Sequence, residues 1–131
     1  MIYVDTSAFL ALVNLDDPNH DQAMQTWKHL IETEQKLVCN NYVLVESIAL
    51  IQRRVGLGAV SILHNDILPF IEVDWLDEKL HNAIVKAVLK TNRRQLSLVD
   101  TSSFDTMQRY EVKTAFAFDS HFSERGFEVI P

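Results

Sequence analysis

The segment Met1–Val13, MIYVDTSAFLALV, joins two apolar stretches through Asp5, Thr6 and Ser7. Short apolar runs bounded by turn residues are typical of buried strands, so Met1 to Val4 predict the first strand. The residues from Thr6 to Val13 predict a helix. Asp5 then has two interpretations: it caps this helix, as aspartate commonly does, or its carboxylate belongs to a functional site.

The same alternation of apolar runs and helical patterns continues along the chain. Strands are expected at 1–4, 36–39, 71–76, 114–118 and 127–130. Helices are expected at 6–13, 16–35, 41–54, 59–69, 77–92 and 101–112, with a turn or one-turn helix at 119–126. Such βα units predict one α/β domain over residues 1–131 with a largely parallel sheet.

Composition limits the class of protein. The 131 residues are 47% hydrophobic and 23% charged, as in ordinary soluble proteins, and no apolar run is long enough to span a membrane. We therefore expect a cytoplasmic protein. The net charge of −6 disfavours a passive nucleic-acid-binding module, but not an enzyme whose acids bind a cation. A single cysteine, Cys39, excludes an internal disulfide and a Cys-based zinc site.

Three aspartates follow apolar segments directly. Asp5 and Asp119 follow predicted strands, and Asp100 follows the apolar LSLV at 96–99. We interpret all three as strand-end residues. Ligands bind outside the carboxyl ends of parallel strands, so the three carboxylates are expected at one edge of the sheet. Each one alone also fits a helix cap.

Glu46 lies in the middle of a predicted helix. Residues three and four positions away share its face, and they are Tyr42, Val43, Ala49 and Leu50. We interpret Glu46 as buried on this apolar stripe, which is costly unless it is paired, protonated or bound to a cation. An ion pair with a distant residue, or an exposed edge of the stripe, is the alternative.

Three aspartates and a glutamate form a set of hard oxygen donors that suits Mg²⁺ or Mn²⁺. A metal held in this way can activate water and stabilise the charge on a phosphodiester. Such a site needs no nucleophilic side chain and no histidine base.

Four segments resemble the motifs of PIN-domain ribonucleases in their order and approximate spacing. They are VDTSAF, VLVES, LVDTSSFD and AFAFDSHFSERGF, at 4–9, 43–47, 98–105 and 115–127. The chain is most similar to VapC-type toxins of bacterial toxin–antitoxin systems. The resemblance implies a three-layer α/β/α fold with a mainly parallel sheet. It also implies Mg²⁺- or Mn²⁺-dependent endonucleolytic cleavage of RNA, a homodimer and a cognate antitoxin. The implied catalytic and metal-binding residues are Asp5, Glu46, Asp100 and Asp119.

Two hydroxyls are expected to support this quartet. Ser7 matches the family position whose side chain orients the first aspartate, although a helix N-terminal hydroxyl is an equal alternative. Ala117 departs from the family, which commonly has Thr or Ser two residues before the fourth aspartate. Ser103 or Ser120 is expected to supply the missing hydrogen bond, and a weakened metal site is the alternative.

Basic residues near the acids are candidates for substrate binding. Arg53, Arg54 and His121 are the first choices, and a second basic group comprises Lys86, Lys90, Arg93 and Arg94. Solvated helix ends explain the lysines and arginines equally well, and packing at the surface explains His121.

The sequence is compatible with three other functions. An aspartyl-phosphate phosphatase would use Asp5 as its nucleophile, but Ser7 stands where those enzymes have a second aspartate. A non-catalytic PIN-fold interaction protein, which binds only its antitoxin, is a further alternative. A housekeeping RNA-processing nuclease is the last.

Overall fold

Five short parallel strands form the sheet at the centre of the computed structural model, which describes residues 1–131. The strands are β1 (Ile2–Val4), β2 (Leu37–Asn40), β3 (Ile71–Asp74), β4 (Thr114–Phe116) and β5 (Glu128–Ile130). Their order in the sheet is β3-β2-β1-β4-β5. Tyr3 of β1 pairs with Val38 on one side and with Ala115 on the other. All three are completely buried, because both faces of a parallel sheet are covered.

Seven α-helices connect the strands. They are α1 (Thr6–Val13), α2 (His20–Glu32), α3 (Asn41–Arg54), α4 (Leu57–Ile62), α5 (Glu78–Thr91), α6 (Leu98–Arg109) and α7 (His121–Glu124). A π-helical turn, Leu63–Ile67, and a 3₁₀ turn, Leu68–Phe70, follow α4. Helices α1 and α3 have the predicted bounds. Helix α2 begins later than predicted, because Asn14 and Asp17 cap backbone N–H groups and form turns before it.

The helices lie in two layers on opposite faces of the sheet. Helix α1 packs on α2 and α3, and α3 packs on α4. Helix α5 packs on α6, and Phe122 of α7 contacts Phe104 of α6. This division follows from right-handed crossovers, since the chain moves first towards β3 and then to the opposite side of β1. The predicted three-layer α/β/α fold is confirmed. None of the helices is both long and apolar enough to cross a membrane.

The segment before Asp100 was wrongly interpreted as a strand end. Leu98 and Val99 are the first residues of α6, and Asp100 lies in its first turn. Ser97 is the N-cap, and its Oγ accepts a hydrogen bond from the Asp100 amide at 3.0 Å. This cap starts the helix three residues earlier than the apolar pattern suggests.

The sheet order places a topological switch point between β1 and β4. Chain connections leave these neighbouring strands in opposite directions, so a crevice opens beyond their carboxyl ends. Asp5 follows β1 directly, and Asp119 follows β4 by three residues. The topology therefore brings these two aspartates to the rim of one crevice.

Candidate active site

Asp5 is both a helix cap and a member of the acidic cluster. Its Oδ2 accepts hydrogen bonds from the Ser7 amide at 3.1 Å and from Ser7 Oγ at 2.7 Å. Ser7 Oγ in turn accepts a hydrogen bond from the Phe118 amide at 2.9 Å. Ser7 thus links the end of β1 to the loop that carries Asp119. The two interpretations of Asp5 do not exclude each other.

The carboxyl group of Asp5 is strongly perturbed. Burial raises its pKa from 3.8 to about 6, although hydrogen bonds from Ser7 and Thr6 act in the opposite direction. The negative charge of Asp100 raises the pKa further. No lysine or arginine nitrogen lies within 4.0 Å of this carboxylate to offset the cost of burial. The site therefore holds a carboxylate whose charge is stabilised only by dipoles.

His121 connects the other two aspartates. Its Nδ1 lies 2.9 Å from Asp100 Oδ2 and 3.1 Å from Asp119 Oδ1. Its backbone amide also donates to Asp119 Oδ1 at 2.9 Å. The Nδ1 atom is buried and makes no aligned hydrogen bond. Asp100 and Asp119, from α6 and from the loop after β4, therefore converge on one point.

Glu46 completes the cluster from α3, but it is exposed, so the prediction that it is buried is wrong. The buried face of α3 consists of Val43, Ser47 and Ile51. Ser47 is included because its hydroxyl donates to Thr6 Oγ1 at 3.0 Å and fixes α3 against α1. Glu46 projects from the edge of that face.

The surroundings of Glu46 still shift its pKa. Partial burial of the carboxyl group raises the pKa, a hydrogen bond with Thr6 lowers it, and the charges of Asp100 and Asp119 raise it. Glu46 is thus close enough to sense the two aspartates. Thr6 was missed as a contact of the site, although it stands beside Asp5 in the first motif.

The donor set fits a hard divalent cation. No three His, Cys, Asp or Glu side chains are arranged closely enough here to enclose a metal ion. However, Mg²⁺ usually binds one or two carboxylates and keeps several waters, so it does not need a closed protein cage. The convergence of Asp100 and Asp119 on the unsatisfied His121 Nδ1 supplies two such carboxylates. Asp5 and Glu46 lie nearby as further oxygen donors.

The predicted support from Ser103 or Ser120 is wrong. Ser103 Oγ accepts a hydrogen bond from Tyr3 OH at 2.8 Å and donates to the Val99 carbonyl at 3.1 Å. It contacts none of the four acids. Ser120 contributes only its carbonyl, which accepts from Ser123 Oγ. Ala117 is buried, and the bond from the Phe118 amide to Ser7 is what fixes the adjacent loop.

Of the three first-choice substrate-binding residues, only His121 lies at the acids. Arg53 and Arg54 are exposed in the last turn of α3. They follow Glu46 by seven and eight residues, which corresponds to about 10–12 Å along the helix axis. Helix α3 runs from the carboxyl edge of the sheet towards the opposite edge. The structure therefore does not bring Arg53 and Arg54 to the acidic cluster.

A separate buried polar cluster lies beside the site and was not predicted. Asp74, at the end of β3, accepts hydrogen bonds from Thr106 Oγ1 at 2.8 Å and from Arg109 Nη2 at 2.5 Å. Asn40 Nδ2 donates to Ser102 Oγ and to Thr106 Oγ1. These bonds fix α6, which carries Asp100, to the ends of two strands.

Comparisons with known proteins agree with this architecture. Residues 2–128 match the family model described as PIN domain. The chain belongs to the PIN-domain family. The resemblance stated from the four motifs is thereby confirmed.

Relatives of this PIN domain include proteins that cover its whole length. It is 32% identical over 133 residues to the 23S rRNA-specific endonuclease VapC20 of two Mycobacterium tuberculosis strains, with 100% of this chain and 99% of the relative covered. The crystal structure of M. tuberculosis VapC20, described as a Sarcin-Ricin loop cleaving toxin, superposes with a TM-score of 0.84 over 100% of both chains. FitAcB from Neisseria gonorrhoeae shares the fold, with a TM-score of 0.70 at 16% identity over 100% of this chain and 97% of that one.

Proposed function

We propose that this chain is an Mg²⁺- or Mn²⁺-dependent endoribonuclease that acts as the toxin of a toxin–antitoxin pair. The observation that carries the proposal is the meeting of Asp100 and Asp119 at His121 Nδ1, beside the buried Asp5. Carboxylates that lie at a switch-point crevice without a lysine or arginine partner are what a metal-dependent hydrolase requires. The full-length similarity to an rRNA endonuclease supports RNA as the substrate class.

The four acids have different roles in this proposal. A divalent cation, when bound, would neutralise charge on the scissile phosphodiester and lower the pKa of water. Asp5, Asp100 and Asp119 would hold it, while Ser7 fixes the orientation of the Asp5 carboxylate. Glu46 is the exposed member, and in this proposal its carboxylate would accept a proton from an attacking water.

The partners are proposed as an RNA, a cognate antitoxin and a second copy of the chain in a homodimer. A nuclease toxin needs a neutralising partner, which supports the antitoxin. Exposed apolar side chains support contacts with other chains: Val45 of α3 is 67% exposed, and Leu57 of α4 is 70% exposed. We place the protein in the cytoplasm, where ribosomal RNA is found.

The test compares purified chain, free of any partner, with its Asp5→Asn variant. Incubation with total RNA and Mg²⁺ or Mn²⁺, followed by mapping of the new RNA ends, is expected to show discrete cuts only for the wild type. The loss in rate should be on the order of 10³-fold or more, because a ligand of the reacting centre is removed. Asp16→Asn, which changes an exposed acid outside the site, is the matched control. Undiminished cleavage by Asp5→Asn, or by wild type in excess EDTA, would overturn the proposal.

A further inference from the structure

A depression beside the acidic cluster contains two arginines. It has a volume of about 420 Å³ and is lined by Arg93, Gln95, Leu96, His121, Glu124 and Arg125. His121 belongs to both features, since its Nδ1 contacts Asp100 and Asp119. A polymer that crosses the acids would therefore enter this depression next.

We propose that this depression binds a backbone phosphate of the RNA, next to the phosphodiester that is cut. The inference rests on the proposed function and extends it to the substrate-binding surface. Arg93 and Arg125 are the phosphate-binding residues, and the Gln95 amide is an additional donor. The proposal explains how a chain with a net charge of −6 holds a polyanion at a cluster of carboxylates.

The two arginines have no acidic partner in the fold. Neither forms an ion pair within 4.0 Å, whereas Arg109 is paired with both Asp74 and Asp105. Arginine presents a planar fork of donors that matches phosphate geometry. Arg93 and Arg125 are therefore free to bind an external anion.

Local structure holds the Arg125 side chain and the Arg93 backbone in place. The Arg125 guanidinium lies 4.8 Å from the centre of the Phe104 ring, a cation–π arrangement. Phe104 is buried and contacts Phe122 and Phe127. Arg93 follows the left-handed residue that ends α5, and its carbonyl accepts the Leu96 amide at 3.2 Å. Because Leu96 is buried, this turn is anchored to the core.

Glu124 is the one acid that lines the depression, and it provides a further test of the proposal. Its carboxylate forms no ion pair with either arginine and would repel a phosphate. Removal of this charge should therefore strengthen RNA binding, while removal of the arginines should weaken it. A general change in net charge would give the same signs, so the control with distant lysines is needed to show that both effects are local.

The experiment measures binding of a fluorescein-labelled single-stranded RNA of mixed sequence by fluorescence anisotropy. All variants carry Asp5→Asn, which prevents cleavage, and EDTA is present throughout. Arg93→Gln with Arg125→Gln should weaken binding by about 10- to 100-fold. The slope of log affinity against log salt should fall by about 0.7, since the two arginines bind one phosphate and each single-strand phosphate contact contributes roughly 0.7. Glu124→Gln should strengthen binding by about 2- to 5-fold.

The matched control removes two positive charges elsewhere, through Lys28→Gln with Lys36→Gln. Lys28 is exposed on α2, and Lys36 precedes β2 at the opposite edge of the sheet. This control should change affinity by less than about 3-fold and leave the salt slope unchanged. Equal effects from the two double variants would overturn the phosphate site.

A second set of measurements covers the fold and the activity. If the loss of the Arg125–Phe104 contact unfolds the double variant, the single variant Arg93→Gln tests the proposal instead. An unchanged affinity of this variant for RNA would overturn the proposal. In cleavage assays without the Asp5 substitution, the double variant should raise KM and keep kcat, as for uniform binding. If the wild type cleaves RNA and the double variant has the same KM, only the phosphate site is refuted. If the wild type binds RNA through these arginines but does not cleave it, only the proposed nuclease activity is refuted.

Discussion

Asp5 and Asp74 occupy equivalent positions but have opposite environments. Each lies at the carboxyl end of a parallel strand, and each is 7% exposed. Asp74 is surrounded by donors and a cation: Arg109, Thr106 and Tyr110 all bond to its carboxylate. Asp5 receives hydrogen bonds from Ser7, and the one charge that shifts its pKa is that of another acid, Asp100.

We propose that the difference separates a structural carboxylate, Asp74, from a functional one, Asp5. A buried carboxylate must be paired, hydrogen-bonded or neutralised, and Asp74 meets this requirement within the fold. Asp5 has hydrogen bonds but no cation, and burial raises its pKa to about 6. Burial and strand-end position are the same in both cases, and neither identifies the site. In our proposal the missing cation marks Asp5 as the functional carboxylate, because a bound cation would supply the charge that the fold leaves out.

The largest expected effect is a loss of stability when the Asp74–Arg109 pair is broken. Arg109→Met should lower the free energy of unfolding by about 2–3 kcal/mol, because it leaves the Asp74 carboxylate buried without its cation. This estimate lies below the usual range for buried pairs, since the Arg109 side chain is 33% exposed. Urea unfolding followed by circular dichroism measures the change. Arg54→Met, at an exposed and unpaired position, should stay within about 0.5 kcal/mol. Equal changes in the free energy of unfolding for the two variants would show that burial of Asp74 does not require Arg109.

A smaller effect of opposite sign is expected at Asp5. Its pKa is about 6 in the fold against 3.8 when unfolded, so the folded state binds more protons between these values. Stability of the metal-free protein should therefore fall as pH rises through that window. Asp5→Asn removes the buried charge and should stabilise the metal-free protein by about 1–2 kcal/mol at pH 7, after the cost of an amide donor. Denaturant midpoints at pH 4 and pH 7 test this, and a less stable variant at pH 7 would contradict it.

Local patterns were sufficient to predict the framework and Asp5. Short apolar strands and capped helices are encoded within about 15 residues, so β1, α1 and α3 could be located from the sequence. Asp119 was expected directly after a strand at 114–118, and it follows β4, although that strand ends at Phe116. Asp100 was misplaced because LSLV fits a strand as well as the start of a helix, and the decisive feature is the cap formed by Ser97.

Long-range pairing could not be predicted in this way. Glu46 was assigned to a buried stripe, but the buried face of α3 is set by Ser47, whose partner Thr6 is 41 positions away. The Asp74–Arg109 pair joins residues 35 apart, and the contact of His121 with Asp100 depends on the β1–β4 switch point. Such contacts are consequences of topology, which periodicity within one element does not contain.

The smallest effect compares one hydroxyl from each cluster. Ser7 Oγ bonds to Asp5 at 2.7 Å, and Thr106 Oγ1 bonds to Asp74 at 2.8 Å. Ser7→Ala should lower kcat for RNA cleavage by about 10-fold, because the Asp5 carboxylate loses its orientation, and Ser7→Thr should restore it. Thr106→Ala should instead cost about 1–2 kcal/mol of stability and leave kcat within about 2-fold. Both variants remove one hydroxyl bonded to a buried aspartate, so a difference in stability alone would not separate them. If Thr106→Ala slowed cleavage as much as Ser7→Ala, the Asp74 cluster would act on catalysis through α6 and Asp100, and the division between a structural and a functional aspartate would be wrong.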